Sequence, residues 1–291
     1  MSHDAATLPR FAAVTQRGRR VRLEYRWIGA DDRAAPLLVF LHEGLGSASM
    51  WKDYPARLCD AGRLRGLVYS RTGYGRSTPR APGERWATDY MHVQAREVLP
   101  AFLAAVGVDA AADPPWLFGH SDGASIALIY AATYPDRLAG LVVLAPHIFV
   151  EDLSVRSIEQ AKYAYQTTDL RRKLARHHAD VDSAFWGWND VWLDPAFRRW
   201  NIEALLPAIR VPVLAVQGHD DEYGTMAQLD ALAARLPQAE MLKLDDCAHS
   251  PHRDQPAAVT QATIEFVGRR RKIVHHNEQY NDERRRHHES S

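Results

Sequence analysis

The sequence predicts an α/β protein built on a doubly wound sheet, and two patterns support this fold class. Short unbroken apolar runs, rich in β-branched residues and bounded by turn residues, are typical of strands buried on both faces. Segments with helical periodicity alternate with these runs, which indicates a sheet covered by helices. The predicted buried strands are Leu37–Leu41, Leu67–Tyr69, Trp116–Phe118, Leu141–Leu144 and Val213–Val216, and Glu240–Leu244 is predicted as the last strand.

The same patterns place the remaining elements in chain order. An extended strand is predicted over Arg20–Gly29, with a partner strand before it at Phe11–Gln16. Apolar residues recur with the helical period at four places between and after the buried strands. These predicted helices are Thr88–Val106, Asp122–Tyr134, Thr225–Leu236 and Pro256–Val267.

One segment, residues 147–207, interrupts this alternation. It has no buried-strand signal and holds four of the eight tryptophans of the chain (Trp186, Trp188, Trp192 and Trp200). We interpret it as a helical cap, or lid, over the carboxyl edge of the sheet, where open α/β sheets bind ligands. Alternatively, the tryptophans only attach short helices to the body, and both interpretations can hold together. Residues 11–146 and 208–268 then form the core.

Composition excludes several classes of function. The 36 basic and 36 acidic residues cancel, so no overall field attracts nucleic acid or anionic lipid. No apolar stretch approaches the ~18 residues of a membrane span, and no signal peptide is expected at the N-terminus. Two cysteines, Cys59 and Cys247, suit a reducing compartment, so we expect a cytoplasmic protein. The basic tail, residues 269–291, is predicted to be a disordered, solvated extension.

A nucleophile is indicated by Gly119–Gly123, which reads Gly-His-Ser-Asp-Gly and matches G-x-S-x-G. A predicted strand precedes this motif and a predicted helix follows it, as a nucleophile elbow requires. The sharp turn places the hydroxyl of Ser121 at a helix N-terminus, where developing negative charge is favoured. The alternative is an ordinary capped helix with glycines for packing.

A serine nucleophile needs a histidine base held by a carboxylate, and in this topology the order is serine, acid, histidine. The strand Val213–Val216 leads to Asp221, which is our candidate acid. Alternatives are Asp220, Glu222, and the pair Glu151 and Asp152 on another loop. The last strand leads to His249, which we choose as base over His252 because it lies nearer the strand end. Nearby Cys247 is interpreted as a packing residue.

The reaction also needs two backbone donors for the oxyanion. One is expected from the residue after the nucleophile, Asp122. The other is expected from the glycine-containing loop after the strand Leu37–Leu41, where Gly44 is our candidate and Leu45 the alternative.

With these four features in place, the chain resembles serine hydrolases of the α/β-hydrolase fold over about residues 11–268. The run Ser70–Ser77 also resembles the family's Gly-x-Gly-x-Ser turn, with Ser70 where aspartate is usual. The resemblance implies an eight-stranded, mostly parallel sheet, a helical cap inserted after strand 6, and no cofactor. One departure is Glu43, which stands where the family's oxyanion loop has glycine. We expect Glu43 to pair with Arg71 or Arg76, or to meet a polar substrate group.

We therefore expect an esterase-like enzyme that cleaves a carboxylic ester or lactone of a small to mid-sized, partly aromatic molecule. C–C bond hydrolysis, amide cleavage, and a small-molecule receptor that keeps the triad are the alternatives. No metal-ligand spacing is present, no nucleic-acid or membrane partner is expected, and monomer and homodimer are not distinguished. The candidate substrate-binding residues are Glu43, Leu45, His120, His147, Trp186, Trp188 and Trp192.

Overall fold

The computed structural model describes residues 9–269, which form one eight-stranded sheet in the order β1-β2-β4-β3-β5-β6-β7-β8. β1 pairs with β2, and β2 with β4, in antiparallel fashion, and all later pairs are parallel. This confirms the predicted mostly parallel α/β-hydrolase sheet. The strands are β1 (Arg10–Gln16), β2 (Arg19–Gly29), β3 (Leu37–Leu41), β4 (Arg65–Tyr69), β5 (Trp116–His120), β6 (Gly140–Leu144), β7 (Val213–Gly218) and β8 (Glu240–Leu244).

Helices cover the sheet, and each helix predicted in the core is present with ends shifted by a few residues. The predicted helix over 88–106 is observed at 90–105, and it contains a π-helical turn, Gln94–Val98, between α2 and α3. The helices are α1 (Tyr54–Gly62), α2 (Tyr90–Val93), α3 (Leu99–Ala105), α4 (Asp122–Thr133), α5 (Asp152–Thr167), α6 (Leu170–Leu174), α7 (Val181–Trp192), α8 (Ala227–Arg235), α9 (Pro251–Asp254) and α10, which occupies 256–269.

The core forms on both faces of the sheet because successive strand residues point to opposite sides. On β3, Leu37, Val39 and Leu41 join one cluster, while Leu38 and Phe40 join the other. The first cluster packs against α3 and α4, and the second against α1 and α10. Every residue of β3 is buried, which explains why its sequence is an unbroken apolar run.

The parallel strands bring four loops to one edge of the sheet, since their carboxyl ends point in the same direction. β3 leads to the loop that contains Gly44, β5 to Ser121, β7 to Asp221 and β8 to His249. The sequence thus places its chemically reactive residues on separate loops that the sheet gathers together.

Residues 147–207 contain α5, α6, α7 and two short 3₁₀ turns, and within this described segment the only β structure is a bridge between Phe149 and Asn201. Two of its tryptophans reach the core: the Trp188 indole lies over Gly44, and Trp192 bonds to Asp122. Trp200 instead stacks on Phe197 of the same segment, with ring centroids 5.5 Å apart. Tryptophans of this segment therefore pack both against the core and within the segment, and its action as a lid stays a prediction.

Both cysteines, Cys59 and Cys247, are buried free thiols. Across residues 9–269, no helix has the length and apolar character needed to cross a bilayer. The same residues contain no group of three or more His, Cys, Asp or Glu side chains that could hold a metal ion. The predicted disordered tail falls outside the described residues from position 270 onward.

Candidate active site

Ser121 occupies a sharp turn between β5 and α4. Its backbone has φ 55° and ψ −119°, a left-handed conformation that a residue with a side chain rarely adopts. Flanking residues must be small for this turn to pack. A Cβ atom on Gly119 would lie 2.4 Å from the Gly123 carbonyl oxygen, and one on Gly123 would lie 2.1 Å from that of Leu41. The G-x-S-x-G spacing is therefore a steric requirement of this elbow.

Ser121, His249 and Asp221 form one hydrogen-bonded row. The His249 Nε2 atom lies 2.9 Å from the Ser121 Oγ, and Nδ1 lies 2.8 Å from the Asp221 Oδ1. Asp221 also accepts bonds from the backbone N–H groups of Tyr223 (2.8 Å) and Gly224 (3.1 Å). These two bonds fix the carboxylate, and the carboxylate in turn fixes the imidazole so that Nε2 faces the hydroxyl.

Electrostatics in this row favour an imidazole that can accept a proton. Burial lowers the pKa of His249, but the charge of Asp221 and its hydrogen bond outweigh burial and raise that pKa above its usual value. Burial raises the pKa of Asp221, but His249 and the backbone N–H of Tyr223 hold it below its usual value. Asp221 therefore stays ionised at neutral pH and stabilises the protonated form of His249.

The other carboxylates that the sequence offers as the acid do not bond to the His249 ring. Glu222 accepts a bond from the His249 backbone N–H at 3.1 Å, so it holds the loop and not the imidazole ring. Asp220 is exposed. Glu151 bonds to Thr225 and Gln228, and Asp152 pairs with Arg198.

His252, the alternative base, faces away from the row. Its ring is buried against Trp51, at a centroid distance of 4.8 Å, and against Tyr54. Neither of its ring nitrogens bonds to any atom of the described residues. Cys247 is also buried, as its interpretation as a packing residue requires.

Candidate oxyanion donors lie on the loop after β3 and at the start of α4. No acceptor among residues 9–269 bonds to the backbone N–H of Gly44, Leu45 or Asp122. Asp122 is the first residue of α4, so its N–H has no partner within the helix. The register between Gly44 and Leu45 stays open, and the Leu45 carbonyl is bonded to His178 at 3.1 Å.

Glu43 pairs with a cation, but the partner is neither Arg71 nor Arg76, the two that the sequence suggested. Its carboxylate lies 3.5 Å from Arg253 on α9 and 3.6 Å from the His120 ring. Burial raises the pKa of Glu43, but the contact with His120 and the charge of Arg253 hold it well below its usual value. The sequence could not show this pairing because α9 lies 210 residues further along the chain.

His120 links the elbow to the base loop. Its Nε2 lies 2.7 Å from the carbonyl oxygen of His249, which is the geometry of a donated hydrogen bond. The ring is buried, with centroids 5.2 Å from His249 and 4.9 Å from His252. His120 is therefore placed behind the row, bracing His249.

A buried ionic cluster surrounds the side chain of Asp122. Its carboxylate accepts bonds from the Tyr90 hydroxyl at 2.6 Å and the Trp192 indole at 3.3 Å. The Arg71 guanidinium lies 3.7 Å away, and both charged side chains are 1% exposed. Burial raises the pKa of Asp122 above its usual value, and Arg71 and the two hydrogen bonds offset only part of that shift. Asp122 thus connects the elbow to α7.

The aromatic candidates occupy three different environments. Trp188 lies over the loop after β3, since a Cβ on Gly44 would be 2.2 Å from its Nε1. His147 has its ring centroid 4.9 Å from Trp192 and 5.8 Å from His249. Burial and the neighbouring His249 lower the pKa of His147 to about 3, so it is neutral at physiological pH. Trp186 contacts Phe185 and Tyr165 inside residues 147–207.

Sequence reasoning missed three residues of this region. Tyr223 lies against His249, with ring centroids 4.7 Å apart, and Tyr90 donates a hydrogen bond to Asp122. Glu24 of β2 explains the unusual Ser70: it accepts a bond from the Ser70 hydroxyl at 2.9 Å and one from the Arg76 N–H at 2.8 Å. Glu24 therefore places a carboxylate beside position 70, a long-range contact with no local signal in the sequence.

Comparison with known proteins identifies the class. The alpha/beta hydrolase family model matches residues 38–262, so the chain belongs to this family. A Caulobacter segnis relative with the provisional name carbamate hydrolase RutD is 27% identical over 252 residues, covering 79% of this chain and 91% of its own. An Enterobacter 2-succinyl-6-hydroxy-2,4-cyclohexadiene-1-carboxylate synthase is 25% identical over 269 residues, covering 81% and 93%.

Solved structures give the same fold. The enol-lactonase of Burkholderia xenovorans superposes with a TM-score of 0.67 at 18% identity, covering 88% of this chain and 99% of that one. A thermophilic esterase of Thermogutta terrifontis also gives 0.67, at 22% identity, covering 90% and 98%. Hydrolysis is the activity that the family supports.

Proposed function

We propose that this protein is a serine hydrolase that cleaves a carboxylic ester or lactone through an acyl-enzyme. The observation that carries the proposal is the row in which His249 lies 2.9 Å from Ser121 and 2.8 Å from Asp221. A serine hydroxyl becomes an effective nucleophile only beside such a base. The strained backbone of Ser121 supports the proposal, since strain of this kind clusters at functional sites.

In the proposed mechanism, His249 Nε2 takes the proton of Ser121 as its oxygen attacks the carbonyl carbon. Asp221 accepts a hydrogen bond from Nδ1 and stabilises the imidazolium that forms. The imidazolium then gives its proton to the leaving oxygen, which departs as an alcohol. Water, activated by the same base, releases the acid and restores the free serine.

Negative charge on the carbonyl oxygen is stabilised by backbone donors. We assign this role to the N–H groups of Asp122 and Gly44, which, like that of Leu45, have no other partner among residues 9–269. Leu45 is the alternative to Gly44. Two prealigned donors need no reorganisation when the oxyanion forms, which is the source of their effect on the rate.

The surroundings of the base favour a small, partly aromatic substrate. Tyr223 and His147 flank His249, and Trp188 covers the oxyanion loop. Ring faces of this kind pack well against aromatic or planar unsaturated groups. His147 is held neutral, so its imidazole suits a hydroxyl or carbonyl group of the substrate better than a second anion.

A substrate panel of aryl esters, lactones, amides and β-diketones tests the proposal on wild type and Ser121→Ala in parallel. Ester or lactone turnover should fall by about 10⁴–10⁶-fold in Ser121→Ala. Ser183→Ala is a matched control, because Ser183 is similarly buried but lies at the start of α7. It should keep wild-type turnover.

The panel also distinguishes the alternatives. Turnover confined to amides or diketones would replace the ester assignment while keeping the nucleophile. A single-turnover covalent adduct without release would identify a receptor. Residual ester turnover near the wild-type rate in Ser121→Ala would remove Ser121 from the mechanism.

A further inference from the structure

Arg71 contacts Asp122, which carries one proposed oxyanion donor, and Glu43, which precedes the other, Gly44. This side chain is only 1% exposed and lies on the turn after β4. Its Nη2 donates to the carbonyl oxygen of Glu43 at 2.8 Å, and its Nη1 lies 3.7 Å from the Asp122 carboxylate. One buried guanidinium therefore bridges the loop after β3 and the first residue of α4.

The Glu43 carbonyl and the Gly44 N–H belong to the same peptide unit. No cis peptide is present in the described chain, so this carbonyl and N–H point in opposite directions. A cation bonded to the carbonyl side fixes the plane of the peptide and leaves the N–H aimed away from Arg71. Because hydrogen bonds in a chain polarise one another, the bond from Arg71 to the carbonyl also makes the Gly44 N–H a stronger donor.

A second donor reinforces this arrangement. The backbone N–H of Arg71 donates to the His42 Nε2 at 3.0 Å, which places the His42 proton on Nδ1. That Nδ1 lies 2.7 Å from the same Glu43 carbonyl oxygen. Burial, together with Arg71, holds the pKa of His42 well below its usual value, so the ring is neutral. Two donors thus converge on one carbonyl: the Arg71 guanidinium, and the His42 ring that the Arg71 backbone N–H orients. A substitution at position 71 removes the first donor and keeps the second.

We propose that Arg71 is a positioning residue of the oxyanion site: it orients and polarises the Glu43–Gly44 peptide and ties it to Asp122. This inference rests on the proposed function, with Gly44 as donor. The positive charge also offsets the Asp122 carboxylate, which would otherwise oppose an oxyanion forming beside its own N–H. Arg71 acts through these groups and does not touch the reacting atoms.

Labelling by a fluorophosphonate ester tests the inference without knowledge of the natural substrate. Ser121 Oγ attacks phosphorus, fluoride leaves, His249 takes the proton, and the phosphoryl oxygen occupies the oxyanion site. Loss of a whole oxyanion donor costs about 10²–10³-fold. Arg71→Met should leave both donors present but misaligned, and should slow labelling about 10–100-fold. Arg71→Lys, which keeps the charge but lacks the fork, should fall between.

Arg65→Met is the matched control. Arg65 lies six residues earlier on β4, donates to the Ala35 carbonyl at 2.8 Å and pairs with Asp113 at 2.7 Å, at the opposite end of the strand from the site. It should label within twofold of wild type.

On an ester from the panel, Arg71→Met should lower kcat with little change in KM, because the interaction is made only in the transition state.

If Arg71→Met does not fold, as judged by circular dichroism, Arg71→Met/Asp122→Asn is compared with Asp122→Asn alone. This double variant removes both buried charges together, and it should label at least tenfold more slowly than the single variant. The inference would be overturned if folded Arg71→Met were labelled at a rate within twofold of wild type, or the folded double variant at a rate within twofold of Asp122→Asn. Absence of Ser121 labelling in wild type would instead overturn the proposed function, and the inference with it.

Discussion

Removal of the Asp122 carboxylate should destabilise the fold strongly. In Asp122→Ala, the Arg71 cation keeps its burial but loses its counter-charge, and the Tyr90 hydroxyl loses its acceptor. The Trp192 indole loses its 3.3 Å bond to Asp122 but keeps its 3.0 Å bond to the Tyr90 oxygen. Breaking one side of a buried ion pair costs about 3–5 kcal/mol. For a chain of this size each kcal/mol lowers Tm by about 2–4 °C, so Tm should fall by about 6–20 °C.

Thermal unfolding followed by circular dichroism, with urea unfolding as a second measurement, checks this value. Asp230→Ala is the matched control, since Asp230 forms an exposed pair with Lys243 at 3.0 Å. Exposed pairs contribute about 0–1 kcal/mol, so the control should lose no more than about 4 °C. An Asp122→Ala protein that unfolds within 2 °C of wild type would refute the reasoning, because the Arg71–Asp122 pair would then make no net contribution to stability.

Three further outcomes are expected. The kcat/KM value should rise as the pH passes through the raised pKa of His249, because the base acts only when neutral. Asp221→Asn should move this rising part of the pH profile to lower pH, and an unmoved profile would contradict the pairing of Asp221 with His249. Gly44→Ala should lower kcat/KM at least tenfold, because its Cβ would lie 2.2 Å from Trp188 Nε1 and must move about 1.2 Å to reach an ordinary 3.4 Å contact. Adding Trp188→Leu to Gly44→Ala should restore part of the activity, whereas additive losses would argue against the clash. His252→Leu should lose less stability than wild type as the pH falls from 7 to 5. Burial holds the pKa of His252 well below 6.5 in the folded protein, so only the unfolded chain binds the extra proton, which costs the wild-type fold about 2 kcal/mol by urea unfolding. An unchanged dependence of the unfolding free energy on pH would show that His252 is not the group that titrates.

The sequence predicts the sheet and the candidate row well because both depend on local patterns and on chain order. Every residue of β3 is buried, so its apolar run marks it as a central strand. The elbow at Ser121 is a local steric requirement. Asp221 and His249 follow from their positions after β7 and β8, since a parallel sheet gathers those loops at one edge.

The parts that the sequence did not predict depend on packing between distant segments. Arg253 reaches Glu43 only because α9 folds back against the loop after β3. Trp188 meets Gly44 only through the placement of α7 over that loop. Asp122 was considered for its backbone alone, yet its side chain anchors α7. No periodicity or spacing encodes such contacts, since each depends on the relative orientation of two elements.

The burial of both native thiols has a practical consequence. Burial raises the pKa of Cys59 to about 12 and that of Cys247 to about 11, so almost no thiolate is available to an alkylating reagent at neutral pH. A single cysteine introduced in place of Tyr163, which is 70% exposed on α5, would be the one readily modified site. A fluorophore or spin label attached there could follow displacement of α5 against the sheet during turnover, with no need to mutate the natural cysteines first.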